Sequence, residues 1–146
     1  MESGNEHHGA CLCGAVRVTA RARSNGVGAC HCKMCRRWGG GPLLVAECES
    51  NVNFDGSEHI ATFDSSDWAE RGFCRECGTH LFYRLKQEGH YAVPVGLFDD
   101  DDQWRLAEQV FIDEKPLFYS FSQDTRDLTG EESLAQYAEE EDGRIT

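Results

Sequence analysis

Seven of the eight cysteines stand in three short clusters whose spacing suits metal binding. The clusters are Cys11-x-Cys13, Cys30-x-Cys32-x-x-Cys35 and Cys74-x-x-Cys77, and Cys48 stands apart. Thiolates converge on Zn²⁺ at about 2.3 Å in a tetrahedron, and a CxxC turn supplies two of them. A disulfide framework and thioredoxin-like redox chemistry are the alternatives. Disulfide frameworks usually scatter their cysteines, so three clusters in one small chain favour zinc.

The seven clustered thiolates divide into four plus three. Two pairs can form one closed site: Cys11, Cys13, Cys74 and Cys77. Such a site ties the start of the chain to a distant segment, which is a plausible way to hold a β-rich domain together. The remaining triplet, Cys30, Cys32 and Cys35, can wrap a second ion by itself. Spacing alone leaves other four-plus-three divisions open.

Three protein ligands leave one zinc position free, as in catalytic zinc sites. Cys48 or His31 could close that position. We interpret Cys48 as a small buried hydrophobe on a strand, and His31 as pointing away from the metal. By proximity, His31 is also the best candidate for a general acid or base. Lys33, Arg36 and Arg37 could offset the negative charge of three thiolates and attract the carboxylates of a peptide thiol such as glutathione.

The length and the net charge of the chain argue against several classes of function. The chain has 146 residues and a net charge of −12, and it fits one domain over residues 1–146. Residues 99–146 supply nearly all of the imbalance, with acidic runs at 99–102 and 139–142 that we interpret as a solvated loop and tail. Such acidity argues against a nucleic-acid partner. No apolar run is long enough to cross a membrane and no signal peptide is apparent, so we expect no membrane partner and a cytoplasmic location.

The pattern of apolar residues predicts a mainly β chain. Short alternating or apolar runs bounded by Gly, Asp and Ser predict strands, and many short strands suggest stacked sheets or a barrel. Residues 24–28 are predicted to form a turn, residues 32–38 a short helical turn closed by three glycines, and residues 131–138 a short helix. His7 and His8 are expected to be exposed to solvent.

Three motifs, in order and in spacing, resemble the glutathione-dependent formaldehyde-activating enzyme family. They are GACLCGAV at 9–16, CHCKMCR at 30–36 and RGFCRECGT at 71–79. The resemblance covers about residues 8–122 and leaves an acidic extension over about 123–146. It implies a β-tent fold of stacked antiparallel sheets with short helical turns and two zinc sites. The structural zinc would lie on Cys11, Cys13, Cys74 and Cys77, and the second on Cys30, Cys32 and Cys35 with an exchangeable position.

The same resemblance implies an activity. The family reaction joins glutathione and formaldehyde to S-(hydroxymethyl)glutathione, which is formally a carbon–sulfur lyase run in reverse, and it makes the open-site triplet the catalytic centre. Glutathione or a similar small thiol would then be the partner, and two zinc ions per chain the cofactor. The competing interpretation is a non-catalytic zinc-stabilised module that binds a protein.

Overall fold

The computed structural model describes residues 6–100 and 102–135, and this part of the chain is mainly β-sheet. The strands are Glu6–Ala10 (β1), Arg17–Arg21 (β2), Gly26–Cys30 (β3), Leu43–Glu49 (β4), Val52–Asp55 (β5), Ile60–Asp64 (β6), Ala69–Cys74 (β7), His80–Leu85 (β8), His90–Pro94 (β9), Arg105–Val110 (β10) and Arg126–Leu128 (β11). The helical elements are Lys33–Gly39 (α1), the 3-10 turns Ser57–His59, Val95–Leu97 and Ile112–Glu114, and residues 130–135. The predicted mainly β fold with short helical turns is confirmed.

The described chain divides into two compact units. The first contains residues 6–27, 44–100 and 102–105, and the second contains residues 28–43 and 106–135. In the first unit, β1, β2 and β5 form a three-stranded sheet, and β4, β9, β8, β7 and β6 follow one another in antiparallel order. In the second unit, β10 lies between β11 and β3. The prediction of a single domain over residues 1–146 stays a prediction.

The core of the first unit lies between its two sets of strands. Alternate residues of β2 point inward, and Val18 and Ala20 are almost completely buried. Phe54 of β5 packs against Phe82 of β8, with ring centroids 5.4 Å apart, and against Tyr91 of β9 at 5.9 Å. Aromatic and aliphatic burial of this kind is the main favourable term in folding.

A close backbone approach fixes the position of β1 in the same unit. Gly9 pairs with Phe98 in an isolated antiparallel bridge. A Cβ atom at Gly9 would lie 1.9 Å from the carbonyl oxygen of Leu97, so only glycine fits there. Glycine is required at this position because there is no space for a side chain, and not because of a positive φ angle.

His7 corrects an expectation, because its side chain is buried instead of exposed to solvent. Only 1% of the residue is accessible, and its ring packs against Trp104, with centroids 4.5 Å apart. Nδ1 lies 3.2 Å from the carboxylate of Asp100, which also gives one member of the acidic run a buried partner. The alternation of β1 turns His7 inward, and β1 was not predicted because EHHGA lacks the β-branched residues typical of strands.

Strands β3 and β11 also differ from the expectations. The turn predicted at residues 24–28 gives way to β3 at Gly26, and the glycines of GVGAC had hidden this strand. Strand β11 pairs with β10 in parallel rather than antiparallel fashion, with Gln109 opposite Asp127. Residues 130–135 of the helix predicted at 131–138 are helical, and the rest of that prediction lies outside the described residues. No helix in the described part of the chain is long and apolar enough to span a membrane.

Candidate metal centres and an adjoining cavity

Four cysteine sulfurs meet in the first unit. Their Sγ atoms all lie within 4.8 Å of one another, and they belong to Cys11, Cys13, Cys74 and Cys77. The Sγ atoms of Cys11 and Cys13 are 3.7 Å apart, and those of Cys13 and Cys74 are 3.8 Å apart. Zinc–sulfur bonds of about 2.3 Å at tetrahedral angles place sulfurs about 3.8 Å apart, so this donor set fits Zn²⁺.

Each cysteine pair of this group is held by a tight turn that a glycine closes. The Gly14 N–H donates to the carbonyl of Cys11 at 3.1 Å, and the Gly78 N–H donates to the carbonyl of Cys74 at 2.7 Å. Both glycines adopt positive φ angles, 83° and 81°, which residues with a Cβ atom adopt at a cost. The turns therefore present two sulfurs each toward one point.

Hydrogen-bond donors favour the thiolate form of two members of this group, Cys77 and Cys11, and lower the pKa of each. The hydroxyl of Thr79 lies 3.2 Å from the sulfur of Cys77 and lowers the pKa of that thiol to about 5, with backbone N–H groups adding to the effect. The same hydroxyl oxygen accepts the N–H of Leu12 at 3.1 Å, which joins the two turns. The Val16 N–H donates to the sulfur of Cys11 at 3.3 Å. Outer contacts of this kind orient metal ligands.

A second group of three sulfurs lies in the second unit, at the junction of β3 and α1. Cys30 ends β3, Cys32 is the N-cap of α1 and Cys35 lies in its first turn, and their Sγ atoms all lie within 4.8 Å of one another. The Cys35 N–H donates to the sulfur of Cys32 at 3.3 Å, so the residue that caps the helix also presents a ligand atom.

Crowding among these three sulfurs shapes their ionisation. Hydrogen bonds to Cys32 and Cys35, followed by burial, raise the pKa of the Cys30 thiol well above its ordinary value. Three such groups cannot all carry negative charge side by side without a neighbouring cation. This donor set therefore also fits a divalent metal ion such as Zn²⁺.

Neither Cys48 nor His31, the two candidates for a fourth ligand, belongs to the three-sulfur group. Among residues 6–100 and 102–135, no other His, Cys, Asp or Glu ligand atom belongs to the three-sulfur group. Cys48 is completely buried, its thiol donates to the carbonyl of Ala46 at 3.6 Å, and burial raises its pKa to about 12. Cys48 is thus the buried hydrophobe predicted from the sequence.

His31 points away from the triplet, as predicted, and its ring lies among other side chains. It is completely buried, with Nδ1 2.8 Å from the Tyr119 hydroxyl and Nε2 2.8 Å from Oε1 of Gln109. Burial lowers the pKa of His31, and the charges of Lys115 and Arg36 add to this effect. Both ring nitrogens are engaged in hydrogen bonds, and the role of His31 as general acid or base stays a prediction.

A cavity of about 280 Å³ lies in the second unit, beside α1. Three of its lining residues are the basic side chains singled out in the sequence, Lys33, Arg36 and Arg37. The other walls come from Gly40, Gly41, Phe118 and Tyr119. Gly40 ends α1 with a φ angle of 86°, a left-handed conformation that glycine adopts at little cost.

Three members of this site were not predicted from the sequence. Tyr119 and Phe118 line the cavity, and Gln109 holds the buried imidazole. They lie more than 70 positions along the chain from His31, outside every cysteine motif. The aromatic run of residues 117–121 was the one signal available, because several large apolar residues in a non-alternating segment often mark a site.

Comparison with known proteins identifies the family of this chain. A family model described as glutathione-dependent formaldehyde-activating enzyme matches residues 6–114. The chain belongs to the glutathione-dependent formaldehyde-activating enzyme family. The resemblance drawn from the three cysteine motifs is thereby confirmed, and the matched residues contain both sulfur groups of this family member.

Two proteins similar to this family member are a curated relative and a solved structure. An uncharacterized lyase of Schizosaccharomyces pombe is 32% identical over 130 residues, which cover 88% of this chain and 95% of that protein. The crystal structure of a Rhodobacter sphaeroides protein from a structural genomics programme aligns with a TM-score of 0.57 and 26% identity. That alignment covers 65% of this chain and 90% of the other.

Proposed function

We propose that this protein is an enzyme that forms, and in reverse cleaves, a carbon–sulfur bond between a small anionic thiol and an aldehyde. Family membership and a relative named as a lyase support an enzymatic, glutathione-related function. Glutathione and formaldehyde are the substrates we propose. The observation that carries the proposal is the cationic cavity beside α1, the helix that also holds two sulfurs of the triplet.

In the proposed arrangement, the two sulfur groups each hold one zinc ion. Cys11, Cys13, Cys74 and Cys77 form the closed structural site, and Cys30, Cys32 and Cys35 form the open site. A zinc ion held by the triplet would have one open position, and coordination of a substrate thiol there would lower the pKa of that thiol. Three thiolates carry more negative charge than one zinc ion neutralises, and the neighbouring basic side chains offset the remainder.

The protein's own residues bind and orient the thiol. Lys33 and Arg37 are exposed and Arg36 is half-buried, with its Nε donating to the carbonyl of His31 at 2.8 Å. Arginine forks bind carboxylates in two-pronged fashion, and glutathione carries two carboxylates. In a chain with a net charge of −12, three cationic groups on one cavity wall select an anionic ligand.

The bond changes of the proposed reaction balance without an oxidant or reductant. The thiol sulfur adds to the aldehyde carbon, and a carbon–sulfur bond forms. The carbon–oxygen double bond becomes a single bond, and the proton lost by the thiol ends on that oxygen. The product is the hydroxymethyl thioether, and cleavage runs through the same changes in reverse.

Zinc content and activity of a Cys32→Ser variant test this function. We expect the parent protein to hold two zinc ions per chain and the variant one, with loss of the rate above the spontaneous reaction of glutathione with formaldehyde. Elemental analysis of protein purified under reducing conditions measures the metal. Cys48→Ser is the matched control, because its hydroxyl can still donate to the carbonyl of Ala46, and it should keep both ions and full activity.

A parent protein with one zinc ion or none would contradict the open-site proposal. So would full activity in Cys32→Ser protein that lacks the second ion. The competing function, a zinc-stabilised module that binds a protein, is favoured by one observation: Leu117 and Phe118 are 99% and 82% exposed. That module would show no catalysis above the spontaneous rate even with both zinc ions bound.

A further inference from the structure

Five side chains in the second unit are linked by successive hydrogen bonds, and this series, which we call the hydrogen-bond chain, begins at the wall of the cavity. Its members are Tyr119, His31, Gln109, Thr125 and Asp127. The Tyr119 hydroxyl and Gln109 Oε1 each lie 2.8 Å from a nitrogen of His31. Gln109 Nε2 then donates to the Thr125 hydroxyl at 2.9 Å, and that hydroxyl donates to the Asp127 carboxylate.

The direction of these hydrogen bonds is fixed from the carboxylate inward. A carboxylate accepts hydrogen bonds and cannot donate, so the Thr125 hydroxyl gives its proton to Asp127. Thr125 can then only accept from Gln109, which turns the NH₂ of that amide toward Thr125. The amide oxygen of Gln109 therefore faces His31 and requires a donor, which is the Nε2–H of the imidazole.

The protonation of the His31 imidazole then decides which group donates in its hydrogen bond with Tyr119. His31 is completely buried, and no carboxylate of residues 6–100 and 102–135 is within hydrogen-bond distance of its ring nitrogens, so it is neutral and carries one ring proton. With that proton on Nε2, Nδ1 is an acceptor. The Tyr119 hydroxyl therefore donates its single proton to Nδ1.

The hydroxyl oxygen of Tyr119 can therefore offer a ligand only its lone pairs, as a hydrogen-bond acceptor. Its ring lines the cavity, and Lys115 fixes the segment by donating to the backbone carbonyl of Tyr119 while its ammonium lies 5.3 Å from the ring centroid. Arg36 lines the same cavity and donates from Nε to the carbonyl of His31, the residue whose ring meets the Tyr119 hydroxyl, so this hydroxyl lies close to the basic wall. A ligand group that meets this oxygen must be a hydrogen-bond donor.

We propose that Tyr119 is a specificity-determining residue that accepts a hydrogen bond from the hydroxyl of the hydroxymethyl thiol adduct. This inference rests on the proposed function. The adduct carries an O–H group, whereas the aldehyde carbonyl is only an acceptor and would leave the tyrosine oxygen without a partner. The hydrogen-bond chain therefore makes the site favour the adduct over an isosteric thioether with a methyl group in place of the hydroxyl.

Calorimetric titration of the zinc-loaded full chain with two ligands tests the proposal. The adduct is supplied as an equilibrated mixture of glutathione and formaldehyde, with glutathione alone as reference, and S-ethylglutathione is the isostere without a donor. We expect Tyr119→Phe to weaken adduct binding about fivefold, the typical effect of one hydrogen bond, and to leave S-ethylglutathione unchanged. Zinc content of each variant is measured alongside.

Two further variants separate recognition from folding. Thr125→Val cuts the hydrogen-bond chain at a residue outside the cavity lining, and it should reduce the preference for the adduct by a smaller factor in the same direction. Tyr83→Phe removes a tyrosine hydroxyl that belongs to the first unit and not to the cavity lining, and it should change neither affinity.

Equal weakening of both ligands by Tyr119→Phe would overturn the proposal, because it would show a packing role for the ring. An unchanged preference for the adduct would overturn it as well, while tight binding of both ligands would leave the proposed function standing. Failure of both ligands to bind the wild-type protein with two zinc ions would overturn the proposed function itself.

Discussion

At the scale of single residues, the eight cysteines differ through their surroundings rather than through their chemistry. Cys77 has a hydroxyl donor at its sulfur and a pKa lowered to about 5, whereas burial raises the pKa of Cys48 to about 12. Hydrogen bonding to the thiolate favours the charged form, and removal from water favours the neutral thiol. One residue type therefore provides both proposed metal ligands and an inert core side chain.

Cys48 should resist alkylation in the folded protein. With a pKa of about 12, only about one thiol in ten thousand is a thiolate at pH 8, and the thiolate is the reactive form. Iodoacetamide treatment at pH 8, followed by peptide mass spectrometry, should leave Cys48 unmodified in the zinc-loaded protein. The same peptide should be fully modified in urea with a chelator. Rapid labelling of Cys48 without denaturant would contradict the burial of this thiol.

At the scale of elements, tight turns and close backbone approaches set the geometry that the cysteines need. β1 leads directly into the turn of Cys11 and Cys13, and the contact between Gly9 and Leu97 fixes where this strand ends. On the other side of the same sulfur group, β7 delivers Cys74. Displacement of either strand would therefore shift both sulfurs of the adjoining cysteine pair.

Gly9→Ala should be strongly destabilising, because the new methyl group would meet the Leu97 carbonyl oxygen at 1.9 Å and the backbone would have to move. We expect a loss of about 3 kcal/mol in the free energy of unfolding, measured by urea titration of the zinc-loaded protein. Gly96→Ala is the matched control, since a Cβ atom there meets nothing within 4 Å, and it should change stability by less than about 1 kcal/mol. Similar losses in both variants would argue against the close approach.

At the scale of the whole molecule, each compact unit contains one of the sulfur groups, and the two groups close very different lengths of chain. The first joins residues 11–13 to residues 74–77, while the second lies within residues 30–35. Closing a longer loop removes more conformational entropy from the unfolded chain. The two proposed zinc sites should therefore contribute unequally to stability.

Cys74→Ser should lower the thermal midpoint more than Cys32→Ser does. By the loop-closure relation for a crosslink, a loop of about 60 residues contributes about 4 kcal/mol and one of about six residues about 2 kcal/mol. Thermal unfolding followed by circular dichroism, with zinc content measured on the same samples, compares the two variants. Equal loss of stability at equal loss of zinc would contradict this assignment of the structural site.

Much of the fold and of the metal chemistry could be predicted from the sequence because both depend on local patterns. Short runs of apolar residues between turn-forming residues predicted the mainly β architecture, since a strand shows its period in adjacent positions. Cysteine spacing predicted the division into four and three sulfurs, because one turn brings each pair together. The three motifs also identified the family, and the structure places each group of sulfurs within 4.8 Å.

Only the tertiary structure decided the features that depend on distant residues. The burial of His7 against Trp104, the parallel pairing of β11 and the contact of His31 with Tyr119 join positions that no local pattern links. The amino-acid sequence by itself determined which groups can bind metal and which segments form strands, through spacing and periodicity. The tertiary structure alone decided what each side chain faces, because that depends on which distant backbones pack together.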